Sequence, residues 1–200
     1  YPEMVERIVP VISPGLSISP YALALMESWT MPVRLDPNWN GGDYYGRAEP
    51  AAGLTQALKL VTFDARHFGW AEKSFGYKWA DPARDPLAAL DNRFQIETVL
   101  EQVGATRAKT VDANSMLYTS KALQLYNLEN EAGRIKAKVL LIPARSDLIF
   151  PPELSQRTAE KLRANGNPAE VFELEGDGGH LDGIFQIAQA GERIRAFLGK

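Results

Sequence analysis

Residues 139–152 read V-L-L-I-P-A-R-S-D-L-I-F-P-P, and residues 169–180 read A-E-V-F-E-L-E-G-D-G-G-H. The first four residues of this stretch form a continuous apolar run, which is typical of a strand buried on both faces of a parallel sheet. An acid, Asp147, follows in the loop past that run, and a glycine-rich turn after the second apolar segment leads to His180. The stretch therefore predicts two parallel strands, with an acid after the first and a histidine after the second.

A helical pattern connects the two predicted strands. Pro151 and Pro152 open it, and Asn-Gly-Asn-Pro at 165–168 closes it, as proline and glycine commonly do at helix ends. A strand, an acid, a helix, a strand and a histidine, in this order, are typical of the back half of an α/β-hydrolase catalytic triad. The serine that should precede both of these residues is not part of the stretch.

The composition narrows the class of protein. The 200 residues are 45% hydrophobic, which is enough for one sizeable core, or for one core with a subdomain. The formal net charge of −3 does not indicate a positively charged surface for binding nucleic acid or anionic lipid. The sequence has no cysteine for disulfides or thiolate metal sites, and His67 has no second ligand at metal-binding spacing. No apolar run reaches the roughly 18 residues that span a bilayer. We expect a cytoplasmic protein that binds neither nucleic acid nor membrane and needs no cofactor or metal.

The alternation of strands and helices is interrupted between residues 20 and 130. Residues 8–12 predict a first strand, after which the sequence predicts helices at 21–29, 53–62, 94–103 and 113–126, separated by turn-rich pieces. This insertion is too long for an ordinary crossover connection. We predict a partial α/β-hydrolase core made of residues 1–19 and 131–200, which ends in a helix over 185–198. Residues 20–130 are predicted to form an inserted helical cap.

His180 is the predicted general base. A histidine after a glycine turn at a strand end is well placed to accept a serine proton and to return it to a leaving group. Asp147 would orient the imidazole and stabilise the imidazolium, although an aspartate ahead of Pro151 is also an ordinary loop or capping residue. Asp177 is a rival acid, but it lies only three residues from His180 on the same turn. That spacing disfavours a stable relay between the two side chains.

The nucleophile is the member of the predicted triad for which the sequence gives least support. Residues 15–19 read G-L-S-I-S and imitate the G-x-S-x-G elbow that follows a strand. The last residue is Ser19 rather than glycine, and Pro20 comes next, whereas the strained elbow needs small residues around its serine. Ser17 is therefore a weak candidate, and otherwise the serine lies upstream of Tyr1. A chain that starts within an element and without methionine is expected to be part of a longer or processed polypeptide.

Six segments spread over most of the chain carry a family resemblance: Y-P-E-M-V-E-R-I-V-P-V-I at 1–12, D-P-N-W-N-G-G-D-Y-Y at 36–45, F-Q-I-E-T-V-L at 94–100, V-D-A-N-S-M-L-Y at 111–118, S-D-L-I-F-P-P at 146–152 and G-G-H-L-D-G at 178–183. With these segments the sequence resembles the homoserine O-acetyltransferase family of α/β hydrolases, which also includes acetyl-ester hydrolases. The resemblance implies that Asp147 and His180 are the triad acid and base. It implies that the segment before Tyr1 carries the serine and the oxyanion hole, and that the cap serves in dimerisation. It also implies that Tyr118 and Asp182 contact the substrate.

Two departures from the family pattern concern the acceptor. Transferases of homoserine usually carry an arginine in a Thr-Tyr-Arg-Ser-like piece of the cap, where it meets the substrate carboxylate, whereas residues 61–64 here read V-T-F-D. A carboxylate at Asp64 would repel the carboxylate of an amino acid, and Arg66 would start from a different face. Leu181 stands where the family tends to place an aspartate directly after the histidine. These departures favour an ester hydrolase that acts on less polar alcohols.

The resemblance therefore implies serine-dependent acyl transfer through an acyl-enzyme, either to water or to a small alcohol such as homoserine. The expected partners are a small acyl ester or acyl-CoA as donor, an alcohol acceptor, the missing N-terminal segment or a second polypeptide, and a second copy of the chain through the cap. Two alternatives stay open. In the first, the chain is a non-catalytic fragment or subunit that supplies acid, base and cap to a partner segment. In the second, it is a degenerate hydrolase fold that binds a ligand.

Overall fold

The structure is a computed structural model that describes residues 2–199. Within them the chain forms two compact units. The sheet unit consists of residues 2–23, Ala65–His67 and residues 125–199, and the helical unit consists of Ala24–Asp64 and Phe68–Gln124. The core and cap boundaries that the sequence predicts, after residue 19 and after residue 130, stay predictions about domain organisation. Of the element within which the chain is expected to start, Tyr1 lies outside the described residues, and Pro2–Met4 form a 3-10 turn.

The sheet unit is built on three parallel strands. These are β1 (Arg7–Ile8), β2 (Lys138–Leu141) and β3 (Ala169–Val171), in the spatial order β1-β2-β3. In the register of the sheet, Ile8 lies beside Val139, and Val139 lies beside Ala169. The helix α6 (Pro152–Ala164) connects β2 to β3, as the predicted crossover requires. The sequence prediction of a strand–helix–strand unit in an α/β fold is confirmed.

β2 is the buried centre of this sheet because helices and loops cover both of its faces. Val139 and Leu141 belong to a core cluster with Ala159 and Leu162 of α6. Leu140 belongs to a second cluster, whose other members are Ile142, Ala144, Leu174 and Ala190, with Ile194 and Phe197 packed against it. Successive side chains of a strand point to opposite faces, so a strand that is covered on both faces reads as a continuous apolar run.

The predicted first strand is shorter in the structure than in the sequence prediction. β1 ends at Ile8, and beyond it Val11 makes a single parallel bridge with Ile142. Pro10 has no backbone N–H with which to extend the ladder, and Ile12 has a φ of +44°, which is foreign to a strand.

The predicted helix over residues 185–198 is divided into three pieces. They are α7 (Asp182–Phe185), a 3-10 turn (Ile187–Ala190) and α8 (Gly191–Leu198). The side chain of Gln189 accepts a hydrogen bond from the backbone N–H of Glu175 at 2.9 Å and donates one to its carbonyl at 2.8 Å. This two-point attachment holds the middle of the segment against a neighbouring loop. We infer that it interrupts the continuous helix that the apolar spacing predicts.

The helical unit contains most of α1 (Pro20–Leu35) together with α2 (Ala51–Asp64), α3 (Phe68–Ser74), α4 (Gln95–Ala108) and α5 (Ala113–Gln124). All four helices that the sequence predicts are present, whereas α3 has seven residues and was not predicted. The core of the unit includes Val33, Tyr44, Leu54 and Leu58. Within the described residues, no helix is both long enough and apolar enough to cross a bilayer.

Candidate active site

Asp147 lies in the loop after β2, where its own backbone surroundings fix its side chain. Oδ1 accepts hydrogen bonds from the backbone N–H groups of Ile149 and Phe150, at 2.8 and 3.0 Å. The other oxygen, Oδ2, lies 2.8 Å from Nδ1 of His180. The carboxylate side chain is 0% exposed. A buried carboxylate that is bonded on both oxygens has little freedom to reorient, so it presents Oδ2 to the imidazole in one geometry.

His180 reaches this carboxylate from the turn after β3. Because an ionised carboxylate only accepts hydrogen bonds, the neutral imidazole carries its proton on Nδ1, and Nε2 holds the free lone pair. The ring of Phe150 meets the imidazole edge-to-face, with 5.5 Å between the ring centroids. The side chain of His180 is 21% exposed, and within residues 2–199 its imidazole has no hydrogen-bond partner other than Asp147. The two residues that the sequence singled out as acid and base are thus brought together.

Gly179 shapes the turn that carries the histidine. Its φ of +79° is a conformation that side chains rarely adopt. A Cβ at this position would also lie 2.7 Å from the carbonyl oxygen of Ala65 and 2.7 Å from the backbone nitrogen of His67. Glycine is therefore required at this position for two reasons: the backbone conformation, and the close approach of Ala65–His67, another segment of the sheet unit.

Asp182, a predicted substrate contact, is buried beneath the same turn and is 3% exposed. Its Oδ2 accepts hydrogen bonds from the hydroxyl of Ser146 at 3.2 Å and from the backbone N–H of Gly178 at 2.9 Å. No sequence pattern indicates that these polar groups meet, because Ser146 and Asp182 are far apart along the chain.

Ser17, the weak candidate for the nucleophile, has other partners in the structure. Its hydroxyl donates a 2.9 Å hydrogen bond to Glu129, and residue 17 forms an isolated antiparallel bridge with Asn127. Glu129 also pairs with Lys161 at 2.6 Å, and the bond to that lysine, followed by the bond to Ser17, holds the pKa of the Glu129 carboxyl below its ordinary value. The Ser17 hydroxyl therefore donates to an ionised carboxylate and not to His180.

The remaining predicted site residues lie in two places. Tyr118 is 77% exposed and lines a cavity of about 570 Å³ in the helical unit, together with Arg34 and Lys121. Asp64, also in the helical unit, accepts a 2.6 Å hydrogen bond from the indole N–H of Trp29. The described residues contain no group of three or more histidine or carboxylate side chains that could hold a metal ion.

Two of the sequence segments that carry the family resemblance meet in a polar network of the helical unit. The hydroxyl of Tyr44 donates to Asp112, and the indole N–H of Trp39 donates to Asn114 at 2.9 Å. The amide of Asn114 in turn donates to the carbonyl of Gly42 at 2.9 Å. Burial, followed by the bond to Asp112, raises the pKa of Tyr44. These contacts fasten residues 36–45 to the start of α5.

Comparisons with known proteins show which proteins the chain is similar to. The sequence matches no established family profile. It is 32% identical over 207 residues to the homoserine O-acetyltransferase of Symbiobacterium thermophilum, a match that covers 99% of this chain and 53% of the relative. Among solved structures, esterase E22 is 36% identical with a TM-score of 0.88, over 99% of this chain and 55% of that one. The homoserine O-acetyltransferase of Bacillus anthracis is 28% identical with a TM-score of 0.90, over 100% of this chain and 55% of that one. The chain thus spans about half the length of the relatives that it matches.

Proposed function

We propose that this chain supplies the acid and the base of a serine-dependent acyl transfer. It shares the α/β-hydrolase fold with homoserine O-acetyltransferases and esterases, which are similar to it along its whole length. Asp147 is the acid and His180 is the general base. The serine and the oxyanion hole come from a segment outside residues 1–200. The acyl group passes through an acyl-enzyme to water or to a small alcohol.

The observation that carries the proposal is the 2.8 Å hydrogen bond between His180 Nδ1 and Asp147 Oδ2. It leaves Nε2 as the basic nitrogen, and the partial exposure of the imidazole allows another group to approach it. The buried carboxylate stabilises the imidazolium that forms when Nε2 takes a proton. The names of the relatives support acyl transfer or ester hydrolysis as the reaction class.

The reaction has two half-reactions that use the same nitrogen. In the first, the serine oxygen bonds to the ester carbonyl carbon while its proton moves to Nε2 of His180. The imidazolium then gives this proton to the leaving alcohol as the bond between the acyl carbon and that alcohol breaks. In the second, water or an acceptor alcohol gives a proton to Nε2 and attacks the acyl carbon. The serine oxygen leaves and takes the proton back.

Asp64 favours water over homoserine as the acceptor. The resemblance implies that homoserine transferases usually carry an arginine in the stretch that corresponds to residues 61–64, whereas this chain has Asp64 there, whose carboxylate accepts a hydrogen bond from the indole N–H of Trp29. A fixed negative charge repels the carboxylate of an amino acid rather than binding it. Hydrolysis is therefore the proposed main outcome. The proposed donor is an acetyl ester, and acyl-CoA is the alternative donor.

A second candidate function follows from the length of the chain. The chain spans about half of its relatives. In this second candidate function it is a subunit without turnover of its own, which supplies acid, base and cap to a partner. The two candidates differ in one respect only. The subunit has no ester turnover until the partner is added.

The test is an assay of acetyl-ester turnover with and without homoserine, on the protein together with any polypeptide that accompanies it. We expect acetate release, and at least about a thousandfold loss of kcat for Asp147→Asn. The matched control is Asp177→Asn, which changes the rival acid on the histidine turn and should keep most of the activity. Equal losses for the two variants would rule out the assignment of Asp147, and O-acetylhomoserine as the main product would overturn the preference for water.

A further inference from the structure

The glycine-rich turn before His180 is folded around the carboxylate of Asp182. A Cβ on Gly178 would lie 2.5 Å from Oδ1 of Asp182, and a Cβ on Gly176 would lie 2.7 Å from its carboxyl carbon. The backbone N–H of Gly178 donates to Oδ2 at 2.9 Å. The glycines at 176 and 178 are thus explained by the space that the carboxylate occupies, in contrast to Gly179, which is required by its own backbone angle.

Ser146 joins this buried carboxylate to the loop that carries the acid. Its hydroxyl donates to Asp182 Oδ2 at 3.2 Å and accepts a hydrogen bond from the backbone N–H of Gly179 at 3.0 Å. Ser146 directly precedes Asp147, and Gly179 directly precedes His180. One hydroxyl therefore ties together the two loops at the residues next to the acid and the base.

Arg66 supplies a positive charge to the same cluster. Burial lowers the pKa of its guanidinium, and the charge of Asp182 opposes this by raising it, so the two groups attract each other. The guanidinium carbon lies 5.9 Å from the centroid of the Phe185 ring, a distance at which a cation is attracted to an aromatic face. A buried carboxylate is costly unless it is hydrogen-bonded, and Asp182 accepts hydrogen bonds from Ser146 and Gly178.

We propose that Ser146 and Asp182 are positioning residues, which form a buried polar link that sets the distance between the loop of Asp147 and the turn of His180. Asp182 acts through this link and not by contact with the substrate. The inference rests on the function proposed above, in which the bond between Asp147 and His180 orients the base.

The exchange of the His180 Nδ1 proton with solvent, measured by NMR, tests the link without any turnover. The signal is identified by its loss in His180→Gln, since the sequence has only two histidines. We expect Asp182→Asn and Ser146→Ala each to speed the exchange by about tenfold or more, as charge-assisted hydrogen bonds weaken or are lost. Glu175→Gln, an exposed change on the same segment, should leave the exchange rate as it is.

Circular dichroism shows whether each variant is folded. If Asp182→Asn does not fold, the exchange rate in Ser146→Ala, which removes a single hydroxyl, tests the proposed link.

If the His180 Nδ1 proton exchanges at the wild-type rate in both folded variants, the proposed link is refuted. Kinetics then separate positioning from substrate binding, because a positioning residue lowers kcat with KM nearly unchanged, whereas loss of a substrate contact raises KM. A raised KM with wild-type kcat in Asp182→Asn would also overturn the proposal. Failure to turn over any ester, even when the polypeptide that supplies the serine is present, would refute the proposed function alone, since the proton-exchange measurement does not depend on turnover.

Discussion

Single residues of the segments at 36–45 and 111–118 stabilise the helical unit. Tyr44 is buried in its core, and its hydroxyl donates to Asp112, whose other oxygen accepts the backbone N–H of Ser115 at 2.6 Å. The exposed Tyr45 reaches the same carboxylate at 3.1 Å. Burial alone would raise the pKa of Asp112, but the hydrogen bonds of Tyr44 and Ser115 outweigh it and lower that pKa.

Tyr44→Phe tests this stabilising role. We expect the variant to lose about 1–3 kcal/mol of unfolding free energy, because a hydrogen bond from a buried ring to a charged partner is removed. Tyr45→Phe is the matched control, since it loses a bond to the same carboxylate from an exposed ring, and its loss should be below about 1 kcal/mol. Urea unfolding followed by circular dichroism measures both, and equal losses would contradict the assignment.

The raised pKa of Tyr44 predicts how stability depends on alkaline pH. The unfolded chain ionises this phenol near its ordinary pKa of about 10, while the folded chain keeps it protonated to higher pH. The stabilisation is therefore complete below about pH 10 and is lost as the pH rises toward the folded-state pKa. Unfolding free energies measured between about pH 8 and pH 11 should fall less steeply in Tyr44→Phe than in the wild type. Identical slopes would show that Tyr44 is not protected.

At the scale of secondary-structure elements, glycine permits close packing of the helices. A Cβ on Gly104 of α4 would lie 2.5 Å from the carbonyl oxygen of Thr55 in α2. A Cβ on Gly53 of α2 would lie 2.8 Å from the Cβ of Asp36, whose Oδ2 accepts the backbone N–H of Gly53 at 2.7 Å. Both glycines allow α2 to approach its neighbours more closely than alanine would.

Gly104→Ala is expected to destabilise the protein by about 1–3 kcal/mol, because backbone atoms must move to admit the methyl group. Gly191→Ala is the matched control, since a Cβ there meets nothing within 4 Å and alanine is the better helix former. It should be neutral or stabilise by up to about 1 kcal/mol. Thermal unfolding of the two variants measures the difference, and a harmless Gly104→Ala would mean that α2 and α4 are not in close contact.

The elements that the sequence predicted well are those with a strong local pattern. The apolar run at 139–142 and the proline-opened helix after it lie where they were predicted, as β2 and α6. The helix over 185–198 was predicted as one piece because its apolar spacing does not reveal the side-chain attachment of Gln189. The link between Ser146 and Asp182 joins residues 36 positions apart, and no local pattern encodes such a contact. The hydrogen bond between Asp147 and His180 was foreseeable only because the order of strands places both residues at the same edge of the sheet.

At the scale of the whole molecule, Asp147 and His180, the proposed acid and base, lie in one unit, and the chain spans about half of its relatives. The proposed acyl transfer requires a nucleophilic serine, and the described residues bring no serine to His180. We therefore expect ester turnover only in material that contains polypeptide besides the 22.1 kDa of this chain. Intact mass under denaturing conditions, measured on an active preparation, tests this expectation. A single species of 22.1 kDa with full turnover would place the nucleophile within residues 1–200.

The most direct test of the central claim is kcat for acetyl-ester hydrolysis in His180→Ala, compared with His67→Gln, which changes the only other histidine in the sequence. If His180 is the general base, His180→Ala loses at least about a thousandfold in kcat, while His67→Gln stays within about tenfold of the wild type. Turnover by His180→Ala at the wild-type rate would contradict the account, because the hydrogen bond to Asp147 would then serve the fold alone.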